Sequence, residues 1–360
     1  MQTTNPSLVT NHSNHPNFSR IFQYTLVAFI LSGLVLYSIW TLTGVGRGSG
    51  TRSIIIYGFS ILDDVMRGEI FPAFKTQWQN RHDESIEFIS SFAGSGTITD
   101  QIIEGVPAEI AILSTQSDAL RLVENGLLPG PTWLTLPNQG ILNRTPFIMI
   151  VHKGNPFDIR DFDDLTNRAL GIVQPDPLGS GAGQWAILAE FGSAFLKTGS
   201  MDQASSQLAR IWYNVILEPV SARKAWELYG NGIGDVLVTY EQQFLKTQLS
   251  SESLYEMIYP ERSIFSEHLV VRIDRNITSG EEDLVDGFLK FLWSAEGQEI
   301  FVRNGFRSVN ESMNQINSAF GVIPKPFTIN DLGGWKSAHD LIFKGEWRRK
   351  INSDIDDGGN

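Results

Sequence analysis

Pro175-Asp-Pro-Leu-Gly-Ser-Gly-Ala-Gly-Gln-Trp185 follows a short apolar run, Leu170 to Val173, and leads into a helical pattern over Gly183 to Leu196. The two prolines stiffen the approach. The small residues after them expose the Ser180 hydroxyl and the N–H groups of Ser180, Gly181 and Ala182 at a helix N-terminus. Such an end carries partial positive charge and unpaired donors, and glycine lets an anion come close to the backbone. Two other stretches have the same character, Gly58-Phe59-Ser60 and Ala93-Gly94-Ser95-Gly96-Thr97. In the first, Ser60 is expected to cap the helix that follows. In the second, glycines permit unusual backbone angles, and successive N–H groups form a nest for an anion. One Gly-Ser turn is commonplace; three on one chain point to an oxyanion held between several helix ends.

Working outward from these turns, the chain from Ser53 alternates strand-like and helix-like segments. Strands are expected at Ile54–Tyr57, Ile86–Ile89, Glu109–Leu113, Phe147–His152, Leu170–Val173, Val215–Leu217, Asp235–Tyr240 and Leu269–Ile273. Helices are expected at Asp63–Trp78, Thr97–Gly105, Gln116–Asn125, Gly183–Leu196 and Ala222–Tyr229, with one long amphipathic helix over Glu281–Asn304. This alternation predicts an α/β protein with parallel-rich sheets wrapped by helices. Ligands of open α/β sheets sit at the carboxyl ends of strands, where all three turns fall.

Composition sets the outer bounds. At 360 residues, with 42% hydrophobic, 19% charged and 11% aromatic residues, the chain is an ordinary globular protein with length for one large or two medium domains. The net charge of −12, with no basic stripe, argues against nucleic acid as a partner. It does not exclude a small anion, because exposed charges beyond about 8 Å are largely screened at physiological salt. The absence of cysteine excludes disulfides, thiolate metal sites, a cysteine nucleophile and a lipidated cysteine. Six scattered histidines form no metal-binding or catalytic spacing, and the Gly-Ser-Gly turns lack the Gly-x-Ser-x-Gly nucleophile elbow. No enzyme, metal or cofactor is expected. The third turn is neither a P-loop nor a dinucleotide fingerprint.

Residues 1–20 are polar and aperiodic and read as a disordered tail. Residues 21–43 read as a transmembrane signal-anchor: Ile21 to Leu42 carries no charge and is longer than the apolar core of a cleaved signal peptide. Residues 44–52 read as a flexible tether, and 350–360 as an acidic C-terminal tail.

The third turn, together with Gly232-Ile-Gly-Asp-Val-Leu-Val-Thr-Tyr-Glu241, resembles the sulfate/thiosulfate-binding proteins that feed bacterial ABC importers. Val151-His-Lys-Gly-Asn-Pro156, Ser294-Ala-Glu-Gly-Gln-Glu299 and Phe327-Thr-Ile-Asn-Asp-Leu-Gly-Gly-Trp335 resemble the same family. The similarity runs from about Ser53 to about Trp347. It implies a two-lobed type II periplasmic-binding-protein fold, here preceded by one N-terminal transmembrane helix, with lobe 1 at 53–145 plus 268–349 and lobe 2 at 146–267. It also implies an extracytoplasmic location, an ABC transporter permease as partner, a monomer, and a dehydrated sulfate bound by neutral donors. Carried over by position, the ligand-binding residues are Ser60 or Ile61, Ser95, Ser180, Gly181, Ala182, Ser221 and Tyr240.

The chain departs from the family pattern in three places. Tyr240 stands where the family has a tryptophan, Gln184 where it has an arginine, and Val220-Ser-Ala-Arg-Lys224 where it has Gly-Ala-Arg-Gly. Tyrosine donates as indole does, but it also accepts. Sulfate is the first expectation. Thiosulfate, molybdate and tungstate stay open, as does a membrane-tethered sensor with an altered or lost ligand. A site made only of donors suits an unprotonated dianion and rejects one whose proton needs an acceptor. Asp63 and Asp64 are the candidate acceptors, although acidic residues in a first helical turn usually serve the helix dipole.

Overall fold

Strand β1 (Arg52–Phe59) alternates buried and half-buried residues and pairs in parallel with β2 (Ile86–Ala93) and β3 (Ile110–Leu113). All positions of β3 are buried, as expected of a strand covered on both faces. The computed structural model describes residues 51–247 and 254–338. The expected tail (1–20), membrane segment (21–43), most of the tether (44–52) and the acidic tail (350–360) lie outside them. Among the described residues, no helix is long and apolar enough to cross a membrane.

The sheet path runs β2-β1-β3-β9-β4-β7-β5-β6. Its centre is an antiparallel pair of long strands, β4 (Ile141–His152) and β9 (Arg262–Arg272). The partners of β4 change along its length. Up to Pro146 it pairs with β9 and with β10 (Arg307–Ser308); from Phe147 it pairs with β7 (Val236–Tyr240), and from Met149 also with β8 (Tyr255–Ile258). One half of the sheet therefore carries β2-β1-β3, and the other carries β7, β5 (Ile172–Val173) and β6 (Val215–Leu217). Each half is parallel within itself, whereas every pairing of β4 is antiparallel. The parallel-rich expectation thus holds for the two halves and fails at the strands between them.

That central pair is cemented by buried polar side chains. Ser263 donates to Phe147 O at 2.6 Å, and Ser266 donates to Thr145 O at 2.7 Å. His268 Nδ1 lies 2.6 Å from Asn143 Oδ1, and burial pushes its pKa down to about 3, so the ring is neutral at physiological pH.

Helices follow the strands: α1 (Phe71–His82), α2 (Ser95–Ile103), α3 (Gln116–Glu124), α4 (Gly181–Thr198), α5 (Met201–Tyr213), α6 (Ala222–Gly230) and α7 (Glu241–Thr247). Helix α4 is buried from Gly181 to Ala194. Inside it, burial pushes Glu190 up to about 8, and the carboxyl accepts hydrogen bonds from Gln174 and Trp212. The expected long helix over Glu281–Asn304 is instead two, α8 (Glu282–Leu292) and α9 (Ala295–Arg303). Ser294 breaks it: its hydroxyl caps α9 by accepting from Gly297 N–H at 3.1 Å and donates back to Phe291 O. Periodicity alone does not register this break, because both pieces keep an apolar face toward the same core.

Candidate functional site

The third turn is held by Asp176. Its carboxylate accepts the amides of Leu178 (2.9 Å) and Gly179 (3.1 Å), and its carbonyl accepts Ser180 N–H at 2.9 Å. The Ser180 amide is therefore engaged within the turn, contrary to the expectation that it is exposed. Ser180 sits at the cap position of α4, yet its hydroxyl makes no capping bond. Gly181 and Ala182 occupy the first two helical positions, where amides have no intrahelical partner by geometry. What this turn offers a ligand is thus the Ser180 hydroxyl and two amides.

The second turn docks directly on the third. Thr97 N–H donates to Gly179 O at 3.2 Å. A Cβ on Gly94 would lie 2.3 Å from Gly179 O and 2.5 Å from Val220 O, and one on Gly96 would lie 2.6 Å from Leu178 O. Neither glycine adopts a positive φ. They are required by close main-chain approach between the two halves, not by the unusual angles expected from the sequence. Ser95 and Gly96 open α2, so their amides also lack intrahelical partners.

Ser114, at the end of β3, joins these pieces. Its amide donates to Ser95 Oγ at 2.9 Å, its carbonyl accepts Trp185 Nε1–H at 2.8 Å, and its hydroxyl lies 2.7 Å from the Tyr240 hydroxyl. A Cβ on Gly181 would strike Ser114 at 2.6 Å. Ser95, Gly181 and Tyr240 are thereby gathered around one buried serine. Tyr240 is buried against Phe59, Phe147 and His268, and burial raises its pKa, which keeps the hydroxyl protonated.

The first turn meets the other half through α6. Ser60 is the first residue of a 3-10 turn and caps nothing. Instead its hydroxyl accepts Arg223 N–H at 3.5 Å, and its carbonyl accepts Arg223 Nε–H at 3.3 Å. The expected cap role fails because Phe59, not Ser60, holds the extended cap position. Ser221 caps α6, accepting Lys224 N–H at 3.2 Å, and is buried. Ile61 lines a cavity of about 270 Å³ with Asp64, Arg223, Trp226, Gln242, Gln243 and Lys246. Asp64 accepts from Lys246 at 2.5 Å and pairs with Arg223 at 3.1 Å; Asp63 pairs with Arg67 at 2.6 Å. Both carboxylates are partly exposed and matched by cations, so neither is a buried acceptor for a ligand proton.

Around Ser114 the structure collects Ser95, Gly181 and Tyr240, with Ser180 and Ala182 flanking Gly181 in the same turn. It collects Ser60, Ile61 and Ser221 around Arg223, and Gly94 touches both groups through Gly179 O and Val220 O. Sequence reasoning missed Ser114 and Arg223. The Leu113-Ser114-Thr115 ending of β3 is a fourth strand-to-helix turn rich in hydroxyls, but it lacks the glycine that marked the others. Gln184, in place of the family's arginine, is buried, and its Oε1 has no hydrogen-bond partner among the described residues.

Helix-end amides and hydroxyls facing one another from two half-sheets, linked by a pair of shared strands, define a solute-binding protein. A model described as bacterial extracellular solute-binding protein matches residues 60–307. The chain is 30% identical to the sulfate-binding protein of Synechococcus elongatus, over 80% of this chain and 83% of that one. It is also 30% identical to the thiosulfate-binding protein of Pseudomonas aeruginosa, over 90% and 96%. The structure of the sulfate-binding protein SubI from Mycobacterium tuberculosis matches with a TM-score of 0.72 and 27% identity, covering 79% of this chain and 97% of that one. The chain belongs to the sulfate/thiosulfate-binding protein family and has its mixed α/β, two-lobed periplasmic-binding-protein fold.

Proposed function

We propose that the protein is an extracytoplasmic carrier that captures sulfate or thiosulfate between its lobes with uncharged donors and delivers it to an ABC importer. One observation carries this reading: helix-end amides and hydroxyls gather around Ser95, Ser114, Gly181 and Tyr240, while the nearby cations Arg223 and Lys246 are both engaged by Asp64. The donors are the Ser60 or Ile61 amide, Ser95, the Ser180 hydroxyl, the Gly181 and Ala182 amides, Ser221 and Tyr240. Ser114 is the buried residue that aligns them. Lobe 1 comprises 53–145 and 268–349, and lobe 2 comprises 146–267; the change of β4 partners between Pro146 and Phe147 supports that boundary.

Burial of a dianion among neutral donors is favourable when each oxygen receives charge-assisted hydrogen bonds and helix ends face it. The charge-free length of Ile21 to Leu42 supports a retained membrane anchor, so the carrier works as a tethered monomer beside its permease. Calorimetric titration of the full chain in detergent with sulfate, thiosulfate, molybdate and phosphate tests the assignment. Tight binding of sulfate or thiosulfate with weak phosphate binding is expected. Preference for molybdate reassigns the ligand, and binding of none turns the molecule into a repurposed sensor domain.

A further inference from the structure

The cavity beside Ile61 has a volume of about 270 Å³, several times the roughly 30 Å³ that one water occupies. It lies where the two halves face each other: Ile61 and Asp64 line it from one side, Arg223, Trp226 and Lys246 from the other. It also adjoins the residues assigned above to the oxyanion. Ile61 follows Ser60 in the chain, and Ser221 caps the helix that carries Arg223 and Trp226. Arg223 stands at the boundary with Ser60. Its amide reaches Ser60 Oγ at 3.5 Å and its Nε–H reaches Ser60 O at 3.3 Å, both beyond the usual range for such bonds. A half-buried side chain held by two long bonds is a weak partition between the oxyanion donors and the cavity.

The charges at the cavity are unequal. Asp63 and Asp64 are paired with Arg67, Arg223 and Lys246, three cations on two carboxylates, so the cluster keeps one positive charge in excess. Asp64 serves both Arg223 and Lys246, and each of these cations has donors to spare for a further anion. Trp226 and Ile61 supply apolar surface beside them. Inorganic sulfate, held by the donors around Ser95 and Gly181, uses none of this space. We propose that the cavity receives the tail of a short organic sulfonate bearing a carboxylate, with the sulfonate in the oxyanion position and the carboxylate on Arg223 and Lys246. A sulfonate keeps three of the four oxygens of sulfate. Its carbon-bearing vertex would point to the first turn, where Ser60 is already engaged by Arg223, so the donors of Ser95, Ser180, Gly181 and Ala182 stay matched. This inference rests on the carrier reading above and extends its cargo from inorganic to short organic oxyanions.

Calorimetric titration of the full chain in detergent at low salt tests it with two probes of equal length, 3-sulfopropanoate and propane-1-sulfonate, which lacks the carboxylate. The wild type should bind 3-sulfopropanoate about tenfold more tightly than propane-1-sulfonate, and excess sulfate should displace it. The ratio of the two affinities isolates the tail charge from any general effect on the lobes. Lys246→Gln, at a partly exposed position where folding is not at stake, should lower that ratio about threefold. Asp64→Asn, which releases both cations, should raise it about threefold. A ratio that neither variant moves overturns the proposal, as does bound 3-sulfopropanoate that sulfate fails to displace. Binding of sulfate without binding of 3-sulfopropanoate defeats this proposal and leaves the carrier reading standing. Binding of neither defeats the carrier reading and this proposal with it.

Discussion

Two seams join the halves of the molecule, and they are built of different material. Gly94, Gly96 and Thr97 meet Leu178 and Gly179 largely through main-chain atoms, with the Thr97 hydroxyl adding a contact to Gly179 O at 3.5 Å. Ser60 and Asp64 meet Arg223 and Lys246 largely through charged, partly exposed side chains. The first seam is rigid, neutral and intolerant of added volume; the second is adjustable and screened by salt. A dianion recognised without a counter-ion needs the first at its centre. The second serves at the rim, where Asp63 and Asp64 offset part of the cation charge.

The contrast predicts a graded series of effects on sulfate binding, each measurable by calorimetric titration. Ser180→Asp places a negative charge at the neutral seam and should abolish binding, a loss of more than about 4 kcal/mol; ordinary affinity would remove Ser180 from the site. Gly94→Ala adds one carbon where two carbonyl oxygens leave no room, and should cost about 1–3 kcal/mol as the backbones part. An unchanged affinity would mean that the seam is open when the ligand binds. Tyr240→Phe removes one buried hydroxyl and orphans Ser114 Oγ, at about 1–3 kcal/mol. If it is neutral, Tyr240 is packing and nothing more. Asp64→Asn should change affinity by less than about 1 kcal/mol, with the effect vanishing at high salt. A large, salt-independent effect there would erase the distinction between the seams.

The sequence reading located the turns well because the pairing of glycine with serine at a strand end, commonplace once, recurs three times on this chain. The strands it found were those with continuous apolar runs, such as Val236–Tyr240. It saw only one end of β4 and of β9, since their remaining residues include Asn143, Thr145, Ser263 and Ser266, whose polar side chains are buried between the strands. A buried strand that carries locally hydrogen-bonded polar side chains leaves no hydrophobic period to read. Ser114 escaped for a related reason: its importance lies in what reaches it from distant parts of the chain, Tyr240 and Gly181. The cap at Ser294 was visible only as a serine within an otherwise regular helical pattern.

Several contacts assigned to the ligand come from peptide groups, which every residue except proline supplies. No codon specifies the amides of Gly181 or Ala182. A substitution can block the approach to them, as at Gly94, but cannot delete them short of proline. A lineage with this crevice can therefore rewrite most of its surface and core while retaining its grip on the anion. Its preferences are then left to a handful of hydroxyls.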